Sequence, residues 1–183
     1  IRPGKKSLLL TQDRLTEKKF LNDLSIPIAP YKTIETVDDI KDAHREFNEC
    51  IIKTRTLGYD GKGQESISNQ RNYEKIFKSI NLKSIIEKKI PFEFEVSVII
   101  ARDIENNLCH YPIGKNVHKN HILKDTFSPI QLTEIQINKL ISYSEKIITE
   151  LNHIGVLAVE FFVTEDNILV NEIAPRVHNS GHW

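Results

Sequence analysis

The chain has 183 residues, 25 Lys+Arg against 25 Asp+Glu, and 39% hydrophobic residues. Zero formal charge excludes a general nucleic-acid or polybasic membrane binder, though not a local basic patch, and no apolar run is long enough to span a bilayer. The two cysteines, Cys50 and Cys109, lack metal-binding spacing, so reduced thiols in a cytoplasmic protein are expected.

A helix is predicted over 12–24, with Leu15, Phe20 and Leu24 near helical spacing and Thr11 as candidate N-cap. Pro27 and Pro30 then hold the chain extended. Thr36 and Asp39 offer a capping-box-like start to a helix reaching about Asn48. Ile51 and Ile52 open a short strand that ends in Lys53, and a glycine-rich stretch follows over 58–64. A helix is predicted over 69–80 with Tyr73, Ile76, Phe77 and Ile80 on one face, then a short strand over 84–87. Phe92, Phe94, Val96 and Val98 alternate with Glu93, Glu95 and Ser97 in a longer strand over 92–101, and 108–113 returns antiparallel after an Asn106-Asn107 turn.

The clearest helix covers 133–151. Thr133 and Gln136 form its capping box, Leu140, Ile141, Ser144, Ile147, Ile148 and Leu151 its buried stripe, and Gly155 ends it. Strands over 156–163 and 168–173 close around Glu165-Asp166-Asn167. The mixture of helices and antiparallel hairpins gives an α+β class, with a subdomain boundary near 87–91 where Pro91 interrupts two strand-like runs.

Three features carry chemistry. With the last turn centred on Asp166, Glu160 and Glu172 face each other across the ladder among apolar neighbours. Directly opposed carboxylates destabilise a sheet and need a cation or a proton; rigid oxygen ligands suit Mg²⁺, and a solvent-exposed edge pair without metal is the alternative. The second feature is the run Gly58-Tyr59-Asp60-Gly61-Lys62-Gly63-Gln64, which lacks the Lys-Ser/Thr of a Walker A loop and reads by itself as an ordinary turn. Lys53 just before it shifts the balance: a lysine ending a buried strand needs an anion, and phosphate is the natural one. The third is the donor-rich run 174–182, where Arg176, His178, Asn179 and Ser180 suit a phosphorylated or carboxylated substrate, or form a plain polar tail. His110, His118 and His121 have no convergent spacing for zinc.

Read in order, Gln12-Asp13-Arg14, Lys53-Thr54-Arg55, the 58–64 run, Ile86-Glu87, Glu95-Val96-Ser97, the 155–163 strand and the closing run 171–183 resemble the 5-(carboxyamino)imidazole ribonucleotide synthase family. These are ATP-grasp carbon–nitrogen ligases of purine biosynthesis. The resemblance implies an ATP-grasp fold, with a helical segment over 1–27 packing on the larger subdomain, a small lid subdomain over 28–90 and a larger subdomain over 91–183. It implies ATP- and bicarbonate-dependent carboxylation of 5-aminoimidazole ribonucleotide through carboxyphosphate. Another ATP-grasp ligase with a different acceptor, or a non-catalytic nucleotide-binding piece, is the alternative.

On this template Arg14 and Lys53 would hold ATP phosphates, and 58–64 would be a lid over them. The backbone of Glu87, Lys88, Lys89 and Ile90 would read adenine, Glu95 the ribose. His118 and Asn171 would sit at the nucleotide site. Glu160 and Glu172 would bind Mg²⁺, and Glu172 would also face the nucleotide. Arg176, with Lys53, would be catalytic; Tyr59, Asp60, Arg176, His178, Asn179 and Ser180 would contact the ribonucleotide. No nucleic acid or membrane partner is expected, and the family is usually homodimeric. Its complete members carry an N-terminal nucleotide-fold domain and a C-terminal domain that this sequence lacks. The absence of methionine and the start at Ile1 likewise suggest a piece of a longer polypeptide, poorly active alone.

Overall fold

A computed structural model describes residues 4–58, 63–68, 72–80, 83–119 and 122–182. In chain order, α1 (Lys5–Thr11) and α2 (Arg14–Asp23) precede β1 (Tyr31–Ile34), α3 (Val37–Phe47), β2 (Cys50–Thr54), β3 (Gln64–Ile67), α4 (Tyr73–Ser79) and β4 (Ser84–Lys88). There follow β5 (Phe94–Arg102), β6 (Leu108–His110), β7 (Gly114–Lys119), β8 (Ile122–Phe127), α5 (Glu134–Glu150), β9 (Gly155–Val163), β10 (Ile168–Ala174) and a 3₁₀ turn, Asn179–Gly181.

The predicted 12–24 helix is two helices. Thr11 is not the cap, because its hydroxyl donates to Ser7 O inside α1. Asp13 caps α2 instead, accepting from Leu15 and Thr16 N–H while its carboxylate also takes the Arg55 guanidinium. The predicted 69–80 helix is shorter, capped at Asn72, and 69–71 lie outside the described residues. Both capping boxes form: Thr36 with Asp39, and Thr133 with Gln136.

The strands build two antiparallel sheets. In one the order is β1-β4-β2-β3; in the other it is β10-β9-β5-β7-β8, with β6 also on β5. Alternation gives each sheet a core face and an open face. In the first, Cys50, Ile52, Ile67 and Ile86 pack against Ile40, Ala43 and Phe47 of α3 and Ile76 of α4. That leaves Ile51, Lys53 and Glu87 on the other face. In the second, Val96, Val98, Ile100, Leu157, Val159 and Phe161 pack under Leu140, Ile147 and Ile148 of α5, joined by Leu21 and Ile26. Glu95, Ser97, Glu160 and Phe162 occupy its open face. The predicted strand over 108–113 ends at His110 as β6, β7 begins only at Gly114 after Pro112, and β5 starts at Phe94 rather than Phe92.

One irregularity decides what the open face carries. The β9–β10 ladder pairs Val170 with Phe161 and then Glu172 with Glu160, skipping Asn171. This bulge reverses the alternation, so Ile168 and Val170 point to the core before Asn171 and Ile173 after it. Without it Glu172 would point into the core and Glu160 would face Asn171. Ile147 is fully buried in this core, so Ile147→Ala should cost about 2–5 kcal/mol, read as a lowered midpoint in urea unfolding.

Candidate active site

The open faces of the two sheets enclose a cavity of about 680 Å³. Arg14, Lys53, Gly58, Gly63, Gln64 and the 87–90 segment line it, together with Glu95, His118, Glu160, Asn171, Glu172, Arg176, His178 and Asn179. Ser180 does not line it: that residue is buried, with its hydroxyl 2.9 Å from His178 Nδ1. Tyr59, Asp60, Gly61 and Lys62 lie outside the described residues, as does His121.

The glutamates are direct neighbours across the ladder. Burial, then the adjacent Glu172, pushes the Glu160 carboxyl up to about 7. Arg14 Nη1 lies 3.3 Å from Glu172 Oε2 and balances part of the charge. Glu160 is further held by Asn116, whose Nδ2 is 3.5 Å from Oε1. Asn116 is buried, donates to Ser97 Oγ and accepts from Thr126 Oγ1, so one amide fixes three strands around a carboxylate. Two hard oxygen donors with a cation deficit fit Mg²⁺. Among the described residues no cluster of three or more His, Cys, Asp or Glu has metal-holding geometry.

Gly181 brings the 176–182 run back over the sheet. A Cβ there would sit 2.9 Å from Ile99 Cγ1, so only glycine lets the turn approach this closely. His178 Nδ1 accepts from Ser180 N–H at 3.3 Å, which leaves the proton on Nε2. Nε2 faces Glu160 Oε1 at 3.6 Å. Burial holds the His178 imidazole below its ordinary value, so it meets the carboxylate as a neutral donor. Arg176 turns Nη1 to Val177 O at 2.8 Å. On the next strands Glu95 contacts His118 Nδ1 and raises that histidine.

The geometry adds to two expectations. The anion that receives Lys53 is a carboxylate, Glu87, with Nζ 3.1 Å from Oε2. β4 pairs with β2 so that Glu87 lies opposite Ile51, diagonal to Lys53 on the same face, a neighbour invisible in linear order. Backbone reading of a base along 88–90 is also narrowed. Lys88 N–H already donates to Pro30 O and Lys89 N–H to Glu49 O, which leaves Ile90 N–H and carbonyls. Beside this segment Phe92 stacks on Phe162 at 4.6 Å, an apolar wall of the cavity.

Sequence reasoning missed Asn116, Glu17 and Lys18, all buried. The last two had a signal. Arg14, Glu17, Lys18 and Leu21 are spaced i, i+3, i+4, i+7, one helix face, so a buried Leu21 beside a functional Arg14 implies buried charges between them. Burial, then Glu172, pushes Glu17 up to about 8.

Two sheets gripping a polar cavity, with a lysine, an arginine and paired carboxylates in its lining, have charges of both signs to offer a ligand. The chain belongs to the ATP-grasp family, whose domain model matches residues 19–183. It is 39% identical over 99% of its length to the bifunctional purine synthesis protein purC/E of Dictyostelium discoideum, covering 19% of that protein. It is 38% identical over 98% of its length to the N5-carboxyaminoimidazole ribonucleotide synthase of Bacillus subtilis, covering 48% of it. The crystal structure of an ADP complex of purK, an N5-carboxyaminoimidazole ribonucleotide synthetase, superposes with a TM-score of 0.90 at 38% identity, over 98% of this chain and 48% of that one. The chain thus spans about half the length of the synthases it matches, or less of the bifunctional protein.

Because Glu160 binds its proton more tightly folded than unfolded, the folded state holds the extra proton between about pH 4.5 and 7. The contribution of Glu160 to the stability of the metal-free protein should therefore fall as pH rises from about 4.5 to 7 and level off above. Glu160→Gln should flatten that decline, measured as Tm against pH.

Proposed function

We propose that the chain is the ATP-gripping part of a ligase that carboxylates 5-aminoimidazole ribonucleotide with ATP and bicarbonate, in purine biosynthesis. The observation that carries this reading is that His178, from the acceptor-side run, faces Glu160 of the carboxylate pair at 3.6 Å. Phosphate-side and acceptor-side groups thus meet at one atom. The sequence likeness to N5-carboxyaminoimidazole ribonucleotide synthases supports the choice of acceptor.

On this reading bicarbonate oxygen attacks the γ-phosphorus of ATP, ADP leaves, and carboxyphosphate forms. The exocyclic amine of the ribonucleotide then takes the carboxyl group and phosphate departs. The protein's work is positioning and charge neutralisation. Lys53 and Arg14 hold phosphate oxygens, Glu95 the ribose, and Ile90 N–H with neighbouring carbonyls the base. The 58–64 segment covers the phosphates, and Gly63 is required at its end: with φ at +75°, a Cβ would meet Thr54 Oγ1 at 2.5 Å. Glu160 and Glu172 would hold Mg²⁺, which neutralises charge on the phosphates when bound. Arg176 stabilises carboxyphosphate, while Tyr59, Asp60, His178 and Asn179 meet the ribonucleotide. Ser180 acts there by fixing the His178 tautomer. Residues 28–90 form the lid subdomain and 91–183 the larger one, on which 1–27 packs. The enzyme is cytoplasmic and homodimeric. Among the described residues no helix is long and apolar enough to cross a membrane.

Calorimetric titration of the chain with ADP and ATP, with and without Mg²⁺, tests the nucleotide site directly. Saturable, Mg²⁺-dependent binding is expected, and its absence refutes the reading. Glu172→Gln should remove most of the Mg²⁺ dependence. His178→Ala should weaken binding of 5-aminoimidazole ribonucleotide more than that of ATP. ADP release in bicarbonate that ignores the ribonucleotide would point to a different acceptor.

A further inference from the structure

Lys18 is a buried lysine that no role above uses. It rises from α2 against the Glu87 and Tyr31 side chains of the first sheet, 3% exposed, with Nζ 3.3 Å from Glu87 Oε1 and 5.7 Å from the centre of the Tyr31 ring. It does not line the cavity, whereas Glu87 and Lys53 do. Glu87, itself 3% exposed, therefore lies between two ammonium groups, one on each carboxylate oxygen. Burial alone would raise this carboxyl, but Lys53 and Lys18 together hold it below its ordinary value, so it is ionised at neutral pH.

The charge arithmetic is simple. A buried Lys53–Glu87 pair by itself sums to zero and offers little to a polyanion, since the carboxylate nearest the ammonium cancels its field. Burial pulls the Lys18 ammonium down while Glu87 holds it up; with Lys18 charged, and its neighbour Glu17 pushed up to about 8 and so neutral, the cluster carries one net positive charge. That charge is expressed on the side open to the cavity, because Lys18 is shielded from solvent and screened poorly by salt. Lys18 does not line the cavity and so is not placed as a phosphate ligand in its own right.

We propose that Lys18 is a positioning residue for the nucleotide phosphates: by sharing Glu87 it frees the positive charge of Lys53 for a phosphate. The proposal rests on the reading of Lys53 as a phosphate ligand. It adds that the ligand strength of Lys53 is set through Glu87, by a side chain outside the cavity lining.

The test is titration of the chain with MgADP by calorimetry, with thermal melting to confirm folding. Lys18→Met should weaken binding about tenfold or more, the order expected when one unit charge is removed from a partly desolvated site. Lys18→Met/Glu87→Gln restores the net charge and should return affinity to within about threefold of wild type. A folded Lys18→Met protein that binds like wild type overturns the proposal. So does a double variant no tighter than Lys18→Met, which would mark Lys18 as merely structural. Should Lys18→Met fail to fold, Glu87→Gln and the double variant carry the test, since they differ only in the Lys18 charge. The double must then be the weaker binder, and equal affinities overturn the proposal. Absence of MgADP binding by the wild-type chain would instead refute the nucleotide reading itself.

Discussion

The site depends on holding two carboxylates side by side on a sheet that would rather separate them. Opposed like charges are unfavourable in a ladder, and a regular β9–β10 hairpin would not produce them here. The bulge at Asn171 does, by rotating Glu172 onto the open face while returning Ile173 to the core. The hydrophobic spacing enforces it: Ile168, Val170 and Ile173 must all reach the core, and only an extra residue between the last two allows that. The energy of core burial therefore fixes the glutamate pair. The repulsion is the part left for a ligand to relieve.

Around this pair the protein arranges hydrogen-bond donors from three directions. Arg14 comes from α2, Lys53 from β2 and His178 from the 176–182 run. Each is backed by a second side chain. Glu17 shares the Arg14 face of α2, Glu87 receives Lys53, and Ser180 fixes the tautomer of His178. Asn116 does the same for Glu160, tied at both ends of its amide to neighbouring strands. Backing groups of this kind cost desolvation and are retained where they set orientation and charge rather than stability.

The sequence made the regular parts legible. The capping boxes at Thr36 and Thr133 report their helices because a cap is a local interaction. Period-two alternation shows β5 because one of its faces is fully apolar. β1, β3, β7 and β8 escaped because their open faces are polar and they are short, so YKTI or KNVHK carries no alternation. Glu160 and Glu172 were placed opposite by centring the turn on Asp166. The turn is in fact offset, with Ile168 paired to Val163, and the bulge restores the pairing. The opposed glutamates were therefore right for a reason that counting could not supply. Lys53 shows the converse limit, since its buried charge was legible but its partner, on a strand more than thirty residues away in sequence, was not.

The separation of the two sheets gives these charges their purpose. Lys53 and Glu87 belong to one sheet, Glu160 and Glu172 to the other. With Lys18 of α2 counted beside Glu87, the positive excess lies at the first sheet and the negative at the second. A bare contact between them would satisfy both and close the cavity, but their side chains are pinned apart: Glu87 occupies Lys53, and Arg14 occupies Glu172. On the proposed function, a triphosphate with a divalent cation would bring both signs to the two sheets at once, whereas a simple anion or a simple cation would relieve one face and leave the other as costly as before.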